Sequence, residues 1–89
     1  MKHTVQSLRQ SGHKVRVIHR LFDESKDADF PNPWNLSDDG QPNVTQIDVT
    51  MSDGREASGF SYRCIGDQYH RKLGNDIALG RAMKQISKM

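Results

Sequence analysis

Three short runs alternate apolar with polar residues, and only one other stretch has the length and period to cover them. That pairing constrains the fold more than any other feature of the chain. The runs are "HKVRVIHRLF" at 13–22, "VTQIDVTM" at 44–51 and "REASGFSYRC" at 55–64. A strand points successive side chains to opposite faces, so each run offers one face to bury and one to wet. In the first, Val15, Val17 and Leu21 share a face, while Lys14, Arg16, Ile18 and Arg20 fall mostly on the other. In the second, Thr45, Ile47, Val49 and Met51 go together. In the third, Phe60, Tyr62 and Cys64 are expected inward, with Arg55, Ala57, Ser61 and Arg63 outward. "SDG" between the last two runs is a hairpin signal. Gly59 inside the third predicts either a bulge or a close approach by the covering helix.

The cover is residues 67–89. After Asp67, a good N-cap, Ala78, Leu79, Ala82, Met83, Ile86 and Met89 fall on one helical arc, with Arg81, Lys84 and Lys88 opposite. Tyr69, Leu73 and Ile77 form a second apolar stripe, displaced from the first. "LGN" at 73–75 joins a stop residue to a start residue, so a bend at Gly74 is preferred to one long helix. Gly80 costs about 1 kcal/mol relative to Ala, which predicts close packing there as the compensation. At the other end, "HTVQSLRQSG" reads as a two-turn helix with Thr4 as N-cap and Gly12 as its stop. The expected fold is α+β in the order αβββα: a short N-terminal helix, a three-stranded antiparallel sheet, and a C-terminal helix packed on one face. One domain spans residues 1–89.

The exception is a long loop at about 23–43. It holds all three prolines and most of the acids, and neither period continues through it. Its aromatic groups are Phe30 and Trp34, which either pin the loop to the body or, for Trp34, anchor a partner. With 34% hydrophobic residues and a mean hydropathy of -0.82, there is room for one modest core and a polar loop outside it. The net charge of +2 conceals a segregated pattern. Residues 1–22 carry five cations and no acid, 23–54 carry eight acids against Lys26, and 55–89 carry seven cations against three acids.

No run reaches the roughly 18 apolar residues of a membrane span, and the start lacks the apolar stretch of a secretory signal. A single cysteine, Cys64, allows no internal disulfide, so a cytoplasmic location is expected. His3, His13, His19, His70 and Cys64 stand at no zinc-site spacing. "SDDGQPN" lacks the ligand pattern of a calcium loop, and "SDGREASG" is not a phosphate-binding Gly-rich loop. The chain is therefore not expected to be an enzyme, to hold a metal or to need a cofactor.

Two binding surfaces remain. A basic one comprises Lys14, Arg16 and Arg20 on the first strand, Arg55 and Arg63 on the third, and Arg71, Lys72, Arg81, Lys84 and Lys88 on the last helix. An acidic one comprises Phe30, Trp34, Asp38 and Asp39. The element order resembles the double-stranded RNA-binding domain, whose last helix opens with a lysine-rich phosphate-contacting motif. "HRKLG" places Arg71 and Lys72 at that point, and the resemblance implies duplex contacts through phosphates and 2'-hydroxyls. "LRQSGHKVRV" and "KLGNDIALGRA" are similar to the two ends of small uncharacterised bacteriophage-encoded proteins. That likeness implies an accessory product acting on host machinery or nucleic acid, and assigns no activity to any residue. The leading expectation is a non-enzymatic module binding nucleic acid or a nucleoprotein through the basic strand and helix surface. The alternative is an inhibitor of a host protein, of the anti-defence or host-takeover kind, working through the acidic loop. A homodimer through Tyr69, Leu73 and Ile77 is the third reading.

Overall fold

The computed structural model describes residues 4–28, 30, 34, 36–37, 40–65 and 71–89, with the backbone alone of Arg71. The element order is α1 (Val5–Gln10), β1 (Lys14–Arg20), β2 (Val44–Thr50), β3 (Glu56–Tyr62) and α2 (Arg71–Ser87). The αβββα layout and the α+β class are those expected. The three strands form an antiparallel sheet in sequence order, β1-β2-β3.

Local signals account for the ends of α1 and for the hairpin. Thr4 accepts from the Ser7 backbone N–H, and Ser7 returns the bond to the Thr4 N–H, a reciprocal cap with Ser in the usual Glu position. At the other end the Gly12 N–H bonds Arg9 C=O and the His13 N–H bonds Leu8 C=O. This Schellman pattern needs the left-handed residue that Gly12 supplies at φ +90°. The β2–β3 turn is closed by the Gly54 N–H on Met51 C=O at 3.0 Å.

Register assigns the faces. One face carries Val15, Val17 and His19 from β1, Thr45, Ile47 and Val49 from β2, and Ala57, Gly59 and Ser61 from β3. Both helices cover it: Leu8 of α1 and Ala78, Leu79, Ala82 and Ile86 of α2 join Val15, Ile47 and Val49 in one buried cluster. Burying such side chains stabilises by about 1.5–3 kcal/mol each, which is what holds a six-residue helix in place.

Four expectations are corrected. First, β3 is turned over: Ala57, Gly59 and Ser61 face the helix, and Phe60 and Tyr62 look the other way. The reason is clearance. A Cβ on Gly59 would strike the Ala78 carbonyl and lie 2.6 Å from the Ala82 nitrogen, so α2 rests on β3 where only small residues leave room. Cys64 lies beyond the strand, half-buried, in an isolated bridge with Leu36. Second, α2 is continuous through Gly74. A Cβ there would lie 2.7 Å from Thr45 Oγ1, so this glycine serves a close helix–sheet approach and not a bend. Third, Gly80 has nothing within 4 Å of a Cβ position, and the packing expected to compensate it is absent. Fourth, Met89 is 65% exposed and leaves the apolar arc. Asp67 and Tyr69 lie outside the described residues.

The loop between β1 and β2 closes over one end of the other sheet face. Asp27, 2% exposed, receives both terminal nitrogens of Arg20 at 2.6 and 2.7 Å, the Asp23 N–H at 2.9 Å and the Tyr62 hydroxyl at 3.3 Å. Phe30 stacks on Tyr62 with centroids 4.2 Å apart. Further along, buried Leu36 and Ser37 run beside the chain after β3, where the Ser37 N–H bonds Arg63 C=O at 2.9 Å and Arg63 Nη1 bonds Ser37 Oγ at 2.9 Å. Asn43 ties both ends, accepting from the Phe22 N–H and donating to Ser37 C=O. No helix among the described residues is long and apolar enough to cross a membrane.

Candidate functional site

β3 is an outer strand, and α2 runs over it, so one flank of the helix stands beside the outer edge of the sheet. Between them lies an open cleft of about 530 Å³. Its aromatic lining is Phe60 and Tyr62, which share the face of β3 away from the helix, together with Phe30 from the loop. Its cationic wall is Arg81, Lys84 and Lys88, with Gln85 among them. Arg81 and Lys84 stand one turn apart on α2, and Lys88 follows in the turn just past its end, so the three line one flank of the cleft. None of the described residues lining the cleft is acidic.

Two features hold the site in shape. Arg81 Nη1 donates to Phe60 C=O at 2.6 Å, which fixes the guanidinium at the strand edge and caps a carbonyl that the sheet leaves unpaired. The rings of Phe60 and Tyr62 are near-parallel, 19° apart with centroids 6.5 Å apart, and Phe30 lies 23° from Tyr62. Beneath them, burial followed by the negative charge of Asp27 raises the Tyr62 phenol above its usual range, so it stays protonated and donates to that carboxylate. Arg20 holds the Asp27 carboxyl below the ordinary aspartate range, chiefly by hydrogen bonding, and is itself raised by the same contact. The cleft therefore offers cations, a flat apolar surface and strand-edge backbone groups. Among the described residues no three of His, Cys, Asp and Glu gather as they would around a metal.

The expected basic surface is divided. Arg81, Lys84 and Lys88 come together, all exposed. Lys72 is exposed in the first turn of α2, about 13 Å further along the axis from Arg81 at 1.5 Å per residue. Lys14 and Arg16 are exposed on β1, two strand spacings of about 4.8 Å from β3. The register sets Arg16 opposite Asp48 and Lys14 in the row of Glu56, so acids separate them from the cleft. Arg20 is not an exposed contact: its side chain is 15% exposed and committed to Asp27, with Nε on Gln46. Arg63 is engaged with Ser37 and Pro42 C=O, and Arg55 with Asp53 in the turn. The Arg71 side chain lies outside what is described.

Of the acidic surface, Trp34 is 75% exposed, whereas Phe30 is half-buried in the aromatic stack and pins the loop. Asp38 and Asp39 lie outside the described residues. Leu73 and Ile77 are 57% and 38% exposed on the solvent side of α2. The cleft's aromatic lining escaped the sequence reading, because Phe60 and Tyr62 were expected in the core. The spacing of Ala57, Gly59 and Ser61 was the available signal: three small residues on one strand face mark where a helix presses closely. No family model, curated protein or solved structure matches the chain.

Proposed function

We propose that this chain is a small non-enzymatic accessory module, of the phage-encoded kind its two ends resemble, that binds nucleic acid in the cytoplasm through the α2–β3 cleft. The observation that carries this reading is the grouping of Arg81, Lys84 and Lys88 along one wall of a cleft that has no described acid and a lining of aromatic rings. Cations on a rigid helix neutralise phosphates and release counterions, and they supply most of the affinity of such contacts. Lys14 and Arg16 are left as peripheral contributors, and Arg20 as structural.

The reading is tested by fluorescence anisotropy with labelled oligonucleotides at 50 mM salt. The unaltered chain should bind, and Arg81, Lys84 and Lys88 replaced together by Ala should bind at least tenfold more weakly while keeping its circular dichroism. Equal affinity in the triple variant would overturn it.

A second reading, capture of a host protein by the acidic loop, is supported by Trp34, a large aromatic left 75% exposed on a loop that is tied down at Asp27, Phe30 and Ser37. A pull-down from bacterial lysate separates the two. Recovery abolished by nuclease favours the cleft, and one stoichiometric protein retained after nuclease and lost in Trp34→Ala favours the loop.

A further inference from the structure

We infer that the cleft takes a single strand, with one unpaired base laid on the ring of Phe60 and the flanking phosphates on Arg81, Lys84 and Lys88. This rests on the nucleic-acid reading above and adds the form that is bound. Phe60 and Tyr62 stand two residues apart on the same face of β3, with rings 19° from parallel. Phe30 stacks on Tyr62 at 4.2 Å. Among the described residues Phe60 has no ring laid on it in that way, and it lines the cleft instead. A planar ring on Phe60 would repeat, one position along the strand, the contact that Phe30 already makes with Tyr62.

The cations are placed for what such a base brings with it. Arg81 is held at the strand edge by Phe60 C=O, so its guanidinium is positioned at the residue that would carry the base. Lys84 follows about 4.5 Å along the helix axis and Lys88 in the turn just past the end of α2, a row able to track a backbone running beside the helix. A volume of about 530 Å³ lies in the range of sites for small ligands, roughly 300–1,000 Å³, and admits a splayed nucleotide. A base inside a duplex is covered on both faces by its neighbours and reaches such a ring only after being flipped out. An aromatic platform beside a cationic track is the general arrangement for unpaired strands.

The test uses the full chain with labelled ten-nucleotide dT and U strands, a ten-base-pair duplex and a ten-residue poly-Glu peptide, by anisotropy at 50 mM salt. The unaltered chain should bind either single strand more tightly than the duplex or the peptide, and the two strands distinguish DNA from RNA. Phe60→Leu keeps apolar volume without a flat face, and should lose about tenfold on the preferred strand with duplex affinity unchanged, within the range for losing one base–aromatic stack. Phe60→Tyr should bind as the unaltered chain does. Equal or tighter duplex binding overturns the inference, and this is read without any variant, so misfolding of Phe60→Leu does not remove the test. A folded Phe60→Leu of unchanged affinity also overturns it, leaving the broader reading intact if the triple cation variant is weakened. Tighter binding of the peptide marks the cleft as a protein site, and failure of every oligonucleotide to bind overturns both readings.

Discussion

Replacing Gly59 by Ala adds one methyl group at the point where helix and sheet touch, and the structure gives the size of the consequence. The new Cβ would meet backbone on two sides, the Ala78 carbonyl and the Ala82 nitrogen, the latter at 2.6 Å. Ordinary carbon contacts need about 3.5–4.0 Å and the Ala78 carbonyl is nearer still, so α2 must lift by about 1 Å or more over β3. A gap of that size forfeits about a quarter to a half of each dispersion contact it opens. Ala78, Ala82, Ile47 and Val49, all fully buried, line the seam that would part. Burying the added methyl returns only about 0.8 kcal/mol, and overpacking of this kind costs typically 1–3 kcal/mol net. Backbone atoms cannot rotate away as side chains do, which places the expected loss near the upper end, about 3 kcal/mol. At about 0.05–0.15 kcal/mol per residue the whole domain is worth only about 4–13 kcal/mol. Urea unfolding followed by circular dichroism should show the midpoint falling by 1 M or more, or a chain unfolded without denaturant. Stability within 0.5 kcal/mol of the unaltered chain would refute the claim that α2 rests directly on β3. The Arg81 bond to Phe60 depends on the same approach, so oligonucleotide affinity should fall with it.

Gly80→Ala is the matched opposite: its Cβ would enter open space in the middle of a helix, so stability should rise by about 0.5–1 kcal/mol, and a loss would contradict the position given to Gly80. Asp27→Ala leaves the Arg20 guanidinium, 15% exposed, without its carboxylate, and breaking a buried pair from one side costs about 3–5 kcal/mol. An unchanged urea midpoint would remove Asp27 as the loop's anchor. Because the folded state holds Asp27 below its ordinary value of 3.8, the unfolded chain binds the proton first as pH falls. The pair's contribution should therefore be fully present above about pH 5 and decline below about pH 4. In Asp27→Asn that part of the acid dependence should be missing, and identical pH profiles for the two chains would contradict it.

Much of the architecture was legible because period and punctuation agreed. Alternation marked all three strands, "SDG" the hairpin, and Thr4 and Gly12 the two ends of α1. The face of β3 was not legible from hydrophobicity, since Phe60 and Tyr62 are the larger apolar residues and yet Gly59 decides the matter. A glycine's clearance is set by a neighbour 19 or more residues away in sequence, Ala78 and Ala82, which no local pattern contains. Gly74 misled for the same reason: stop-then-start residues can signal a break, but contact with Thr45 gave the glycine a different use. The basic surface was read as one patch from cations placed on the expected strands and last helix, and the structure divides it because Arg20 finds Asp27 and Asp48 lies opposite Arg16. Arg81, Lys84 and Lys88 were legible as a group, because helical period alone puts them on one flank. The rings beside them were not, since that depended on turning β3 over.

The central claim is that three helix cations and a strand-borne ring form one binding surface. Its most direct test is the salt dependence of single-strand affinity, measured by anisotropy between 50 and 200 mM salt for the unaltered chain and for the variant in which Arg81, Lys84 and Lys88 are all replaced by Ala. With about 0.7 of an ion released per phosphate, three engaged cations predict a slope of log K against log salt of roughly -2, falling towards zero in the triple variant. A slope unchanged by the three replacements, or no detectable binding at 50 mM, would contradict the account.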